Sequence, residues 1–415
     1  MFMQKPELLV PAGNLEKLKV GLDYGADAFY LGMPSFSMRS RINNFDQDSV
    51  LEGMELIRRN KKKAFLTINI YPRGNKVDAF KKHLKFVREK IKPDAVIVAD
   101  AGVFELVREY YPEAEIHMSV QANVLNYRAV KFWQKAGASR IILPRELMLS
   151  EIREIHDHVP EMELEFFVHG AICVAYSGRC LLSAYMTGRD ANQGICAHSC
   201  RWKYRLEEEK RPGEYMPIEE DHHGTYIMNS RDMCLLPYLE ELVESGICSF
   251  KVEGRNKTEH YLATVTRAYR KAIDDMANAR PFDESLMDEV KKTANRGFIP
   301  GFLFGFPDVS AEQTGEDSIF YEKNAPIQTH QFIGVVKDRK HSGLYEVEIR
   351  NRLKKGDVVE LMTPDNQYEI KVDEMFDLEG EGLDTVHGGA GNKLLKINKD
   401  IKKGTILRKK LCLEN

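Results

Sequence analysis

Glu7-Leu8-Leu9-Val10, then Pro11-Ala12-Gly13-Asn14, then the run from Leu15 to Tyr24, then Ala28-Phe29-Tyr30-Leu31-Gly32: this stretch decides the fold. A short β-rich run ends at a Pro-Ala-Gly turn. Asn14 is then placed to cap a segment whose leucines and valine recur at helical spacing. A second β-rich run stops at Gly32. Strand, capped helix and strand in so short a span make a unit whose two strands run parallel, because the helix carries the chain back across the sheet.

The unit recurs. Residues 64–70, 95–99, 115–118, 140–143, 163–168 and 249–252 join 7–10 and 28–31 as eight predicted strands, with helical patterns such as 103–110 between them. Eight parallel strands with helical crossovers close most economically into a (β/α)8 TIM-like barrel, an α/β fold. The 415 residues exceed what one ordinary core organises. Residues 1–325 are therefore assigned to the barrel and 330–415 to a small C-terminal β-barrel domain, with strands expected at 332–337, 345–349, 357–362 and 368–372. Turns are expected at Lys354-Lys355-Gly356-Asp357 and Pro364-Asp365-Asn366. Between Lys393 and Lys410 basic residues outnumber acidic ones eight to one, which suits either a phosphate track or a solvated edge strand.

The alternation breaks once, after strand 7. Residues 171–230 carry a cysteine-rich insertion on a βα loop, the kind of loop that builds the active face of such a barrel. Four of the seven cysteines, Cys173, Cys180, Cys196 and Cys200, fall there with the spacing Cys-x6-Cys-x15-Cys-x3-Cys. Thiolates suit zinc or an iron–sulfur cluster. Structural zinc sites usually show two tight pairs, so the looser spacing favours a cluster without excluding zinc. Cys234 and Cys248 stand in apolar settings and read as small buried hydrophobes, with Cys234 an alternative ligand, and Cys412 lies in the tail.

Sixty basic and sixty-three acidic residues leave a net charge of −3, which excludes nucleic-acid binding by bulk charge, so any RNA contact rests on local patches. Arg201-Trp202-Lys203-Tyr204-Arg205 is such a patch, where aromatic rings interleaved with cations can stack a splayed base or form a packed surface strand. The opening MFMQKPELLV holds no apolar stretch of signal length, and no apolar run reaches membrane length; a cytoplasmic chain without a membrane partner is expected.

Glu165-Phe166-Phe167-Val168-His169-Gly170-Ala171-Ile172-Cys173, followed by Gly178-Arg179-Cys180-Leu181-Leu182-Ser183, resembles the signature of the collagenase-like peptidases of unassigned catalytic type. The likeness runs from Pro11-Ala12-Gly13 through Ser119-Val120-Gln121-Ala122-Asn123 and Lys251-Val252-Glu253-Gly254-Arg255 to the C-terminal domain. Within that family, Asn192-Gln193-Gly194, Cys200-Arg201-Trp202 and residues 224–230 are most similar to the prephenate-dependent tRNA uridine hydroxylases. The resemblance implies an iron–sulfur cluster, 4Fe–4S in type, on Cys173, Cys180, Cys196 and Cys200. It further implies 5-hydroxylation of a wobble uridine in tRNA, prephenate as co-substrate, and a related family subunit as a candidate partner. Hydroxylation of ribosomal RNA cytidine and collagenase-like peptidase activity are the alternatives.

Barrel enzymes draw their chemical groups from strand ends, which nominates Asn69, Gln121, Asn123, Arg145, Glu146, His169, Lys251, Glu253 and Arg255. His169, Gln121, Arg145, Glu253 and Arg255 are the catalytic candidates, His169 as a base, with Arg145, Lys251 or Arg255 placed to pair with a dicarboxylate. Each taken singly reads more readily as a member of a structural salt bridge across the barrel mouth, and His169 reads equally well as a satisfied core histidine. No nucleophile and base can be paired from the sequence as a peptidase requires.

Overall fold

In the computed structural model of the chain the described residues are 5–38, 45–172, 180–191, 195–197, 199, 206–208, 211–216, 220–221, 224–225, 231–305 and 327–411. Strands β1 (Glu7–Pro11), β2 (Ala28–Gly32), β3 (Lys63–Thr67), β4 (Ala95–Val98), β5 (Ile116–Met118), β6 (Arg140–Ile142) and β7 (Glu163–Ala171) pair in parallel in chain order. β8 (Asp232–Cys234) lies antiparallel along the end of β7, and β9 (Ile247–Val252) pairs in parallel with both β7 and β1, closing an eight-stranded barrel. The eight predicted strands are these barrel strands. β8, and the short β10 (Phe298–Ile299) paired with it, escaped the sequence reading because runs of two or three residues carry no measurable period.

Helices α1 (Leu15–Asp23), α2 (Gln47–Arg59), α3 (Val77–Phe86), α4 (Ala101–Tyr110), α5 (Tyr127–Ala136) and α6 (Leu149–His158) cross between the first seven strands. α7 (Leu182–Thr187) lies in the insertion, α8 (Leu239–Glu244) precedes β9, and α9 (Glu259–Ala277) and α10 (Ser285–Lys291) follow it. Several helices open on a polar cap that takes up an otherwise orphaned N–H: Asn14 accepts from Lys17 N at 2.9 Å, Asp100 from Val103 N at 3.0 Å, and Asn126 from Ala129 N at 3.0 Å. Such a cap stabilises its helix by about 1 kcal/mol. The strands are apolar on both faces, as Val96, Ile97 and Val98 show, because helices cover the outside while the barrel fills its own inside. No helix among the described residues is long and apolar enough to cross a membrane.

The lower half of the barrel interior holds charge. Arg140 reaches Glu7 at 2.7 Å, Glu163 at 2.7 Å and Glu165 at 3.0 Å, and Lys251 donates to Glu165 at 2.6 Å. Burial pushes the Lys251 ammonium down from its ordinary value against the pull of Glu165.

Beyond the barrel, β11 (His330–Arg339), β12 (Leu344–Ile349), β13 (Val358–Met362), β14 (Gln367–Lys371), β15 (Met375–Phe376), β16 (Asn392–Lys396) and β17 (Ile406–Lys410) form one antiparallel sheet in the order β14-β13-β17-β11-β12-β16-β15. Ile333, Val347, Leu361, Leu395 and Leu407 meet in its core. The basic run at its end is not an edge: β17 lies between β13 and β11. Arg408 is fully buried against Glu289 of α10 at 2.6 Å and Glu360 at 2.8 Å, and Lys409 pairs with Asp357 at 2.6 Å. Both readings of that run as a solvated edge or a continuous phosphate track are thereby corrected for β17, whose cations hold the sheet to itself and to the barrel. Tyr24 of α1 donates to Met362 O at 2.6 Å, and Phe332, Val335, Met362 and Ile406 pack into the barrel's apolar cluster.

Candidate active site at the barrel mouth

The strand ends converge on one hydrogen-bonded network. After β9, the Arg255 guanidinium donates to Ser37 Oγ at 2.8 Å, Thr67 Oγ1 at 3.2 Å and Met38 O at 2.7 Å, tying together the ends of β2, β3 and β9. Met38 N donates to Asn69 Oδ1 at 3.1 Å, and Asn69 Nδ2 donates to Gln121 Oε1 at 2.5 Å. Ser119 Oγ donates to that same oxygen at 3.2 Å, while Asn123 Nδ2, at 3.0 Å, and the Tyr71 hydroxyl donate to Gln121 O. Gln121 is therefore fixed from three sides. Its buried Nε2 has no partner among the described residues, a donor that a ligand oxygen would satisfy. Gly13 closes this end: a Cβ there would stand 2.3 Å from Arg255 O, so the Pro11-Ala12-Gly13 turn admits no side chain.

Arg145, after β6, lays its guanidinium over the Phe167 ring at 4.5 Å and donates to Ala171 O, the last residue of β7. Its neighbour Glu146 has one carboxylate oxygen buried without a partner among the described residues, and burial raises its pKa. Lys251 sits a layer lower, bound to Glu165, rather than at the rim. Three signature positions thus have physical meaning. Glu165 anchors the interior cations, Phe167 supports Arg145, and Gly170 adopts φ 111°, where a Cβ would approach that of Glu253 to 2.9 Å.

His169 is placed differently from the expectation of a base at the mouth. Along β7 and β9, Lys251 pairs with Phe167 but Val252 pairs with His169, a bulge that turns His169 from the interior to the helix-facing side. There its ring packs among Tyr261, Tyr269 and Phe298, and Nδ1 lies 3.4 Å from the Tyr269 hydroxyl. Burial lowers its pKa to about 3, so it is neutral at pH 7. Because the unfolded chain binds that proton more readily, His169 contributes stability above its ordinary pKa of 6.5 that is lost as pH falls toward 3. His169→Gln is expected to keep turnover within about threefold of wild type, whereas loss of a general base lowers it by about 10²–10⁴-fold; single-turnover rates decide. Glu253, the fifth catalytic candidate, donates its N–H to His169 O at 2.9 Å and accepts from the Tyr261 hydroxyl at its own carbonyl at 2.7 Å.

Of the predicted ligands, Cys180 and Cys196 are described, both half-buried; Cys173 and Cys200 lie outside the described residues, as do Arg201, Trp202, Lys203, Tyr204 and Arg205. Cys180 precedes α7, and two side chains fold the chain back on that helix. Ser183 Oγ donates to Arg189 O at 2.6 Å and accepts from Ala197 N at 2.8 Å. Arg189 donates to Ile195 O at 3.2 Å and to Cys196 O at 3.1 Å. The Cys196 segment is thereby held against the helix that Cys180 introduces, and Cys173 follows two residues after the end of β7. Thiols are soft donors of the kind that hold zinc or iron–sulfur clusters; among the described residues no three metal-ligating side chains come together. Arg189 was missed because a lone arginine after glycine carries no sequence signal. Cys234 and Cys248 stand apart: burial pushes both thiols up to about 11, and Cys234 packs against the Tyr269 hydroxyl at 3.8 Å.

Comparison with known proteins places this geometry in context. A family model described as Peptidase family U32 matches residues 13–313, and one described as Peptidase family U32 C-terminal domain matches 328–408. The chain is 40% identical to tRNA hydroxylation protein P of Escherichia coli, over 96% of this chain and 95% of that one. It is 35% identical to tRNA hydroxylation protein P1 of Bacillus subtilis, over 98% and 95%, and 30% identical to a collagenase of Porphyromonas gingivalis, over 86% of each.

Proposed function

Because the chain belongs to peptidase family U32 and matches its tRNA-hydroxylating relatives over nearly their full length, we propose that it is an RNA hydroxylase, acting on carbon 5 of the wobble uridine in tRNA with prephenate as co-substrate. The observation that carries this reading is the make-up of the mouth: guanidinium, amide and hydroxyl groups from four strand ends, with no nucleophile bonded to a base among the described residues of the mouth; the hydrogen-bonded chain of Thr329, His330 and Glu360, at 3.0 and 3.3 Å, belongs to the C-terminal sheet. The one histidine that sequence offered as a base is neutral and faces the helix layer.

Such a mouth binds and orients oxygen-rich ligands. Arg145 and Arg255 supply positive charge for a carboxylate, and the pinned Gln121 presents an amide donor in the same network as Arg255. A cluster held by Cys173, Cys180, Cys196 and Cys200 would supply electron-transfer chemistry. Arg145 links the two regions, since its contact with Ala171 O fixes the strand end that leads to Cys173. A wobble base lies in a single-stranded loop, so its entry requires little unstacking.

The test is mass spectrometry of tRNA nucleosides from a strain lacking the gene, with and without this chain restored. Loss and recovery of 5-hydroxyuridine derivatives is expected. Unchanged tRNA, together with gelatin cleavage by purified cluster-free protein, would transfer the assignment to the peptidase.

A further inference from the structure

Helix α5 differs in charge from every other charged helix described. It carries Arg128, Lys131 and Lys135 and no acidic residue, whereas α1 to α4, α6 and α8 to α10 each contain Asp or Glu. The imbalance extends past the helix, since no Asp or Glu occurs between Glu115 and Glu146. None of the three cations makes an ion pair among the described residues; Arg128 and Lys131 instead lie over the Tyr127 ring at 5.4 and 5.5 Å. Between the lysines Phe132 is 62% exposed, more than any other large apolar side chain described.

That ring is supported from beneath. Phe132 meets Trp133 edge-on at 5.2 Å, Trp133 leans on Phe104 at 5.4 Å, and Arg108 covers Phe104 at 5.5 Å. A pre-ordered exposed aromatic flanked by unpaired cations matches nucleic acid on two counts: the ring offers a base a stacking face, and the lysines offer phosphates a charge. The helix also starts in the right place. Its cap, Asn126, follows the Gln121–Asn123 loop of the mouth, and α5 runs from there down the barrel's flank. Phe132 lies about 7–8 Å along the helix from Tyr127 at 1.5 Å per residue.

We propose that α5 is a docking surface for the RNA strand flanking the reacting nucleotide, with Phe132 as its stacking platform and Arg128, Lys131 and Lys135 as its phosphate contacts. This rests on the RNA-hydroxylase reading and adds the path by which the polymer leaves the mouth.

The experiment measures binding of an unmodified tRNA transcript to the full-length protein across a salt series. Phe132→Ala is expected to weaken binding by about 5- to 100-fold. Lys131→Gln with Lys135→Gln should reduce the slope of log affinity against log salt by about 0.7–0.9 for each lysine. Lys61→Gln with Lys90→Gln removes equal charge near the amino-terminal ends of β3 and β4, away from the mouth, and should leave both quantities unchanged. If wild type binds and hydroxylates tRNA while the α5 variants behave identically, the docking surface is wrong and the function stands. If wild type binds no RNA, both fall. A Phe132→Ala protein that binds RNA normally but sediments as a smaller species would assign the patch to a second copy of this chain and overturn the proposal.

Discussion

Replacing Glu165 by Gln is expected to destabilise the barrel by about 3–5 kcal/mol, the effect of leaving a buried charge without its partner. Glu165 is fully buried and holds two cations, Arg140 at 3.0 Å and Lys251 at 2.6 Å. Arg140 keeps Glu7 and Glu163 when Glu165 is neutralised. Lys251 has no other carboxylate within ion-pair distance among the described residues, only the faces of Tyr30 at 4.6 Å and Phe167 at 5.4 Å. Its ammonium, already pushed down by burial, would shed its proton or draw water into the barrel. Since domains are stable by about 5–15 kcal/mol, the loss is a large share of the total. Urea midpoints of the single variants and of the double variant Glu165→Leu with Lys251→Met measure the coupling. The double variant should recover much of the loss, because an apolar pair of similar volume often replaces a buried ion pair without penalty. A Glu165→Gln protein as stable as wild type would show that the interior charges are hydrated and that the ladder is not structural.

The second large effect concerns the cysteines. Cys196→Ala is expected to yield protein that, purified anaerobically, lacks visible absorption and bound iron and sulfide, and that forms no hydroxylated nucleoside. Arg189→Ala should give a graded version of the same defect: it removes the donor to Ile195 O and Cys196 O without touching a thiol. Loss of such outer support typically weakens metal retention by about 10–100-fold. Cys234→Ala is the matched control, because that thiol is packed in the wall against Tyr269. Iron content separates the outcomes independently of activity. Retention of iron and absorption by Cys196→Ala would remove this residue from the ligand set, and iron replaced by zinc in wild type would turn the site to a structural role.

Much of this molecule was legible in its residues. β-rich runs alternating with capped helices specify a parallel barrel because each element buries its own periodic face, a local property that a linear reading detects. The insertion after strand 7 stood out for the complementary reason, as the place where the period fails and cysteines gather. Less legible was everything that depends on registry. His169 followed a strand and looked available, yet one extra residue in β7 turned it outward. The basic run near the C-terminus looked solvated, yet sheet order placed β17 in the interior with Arg408 between two carboxylates.

The chain by itself determined its parallel barrel, its antiparallel C-terminal sheet, the cysteine-bearing loop, and the set of polar residues at strand ends. Tertiary structure alone decided which of those residues meet. Glu165 finds Lys251 from 86 positions away, and Arg255 finds Ser37 from 218. Both pairings follow from barrel closure, which sets β9 between β7 and β1. Local sequence encodes which face of an element is buried, but the partner across that face is chosen by how the strands are staggered when the barrel shuts.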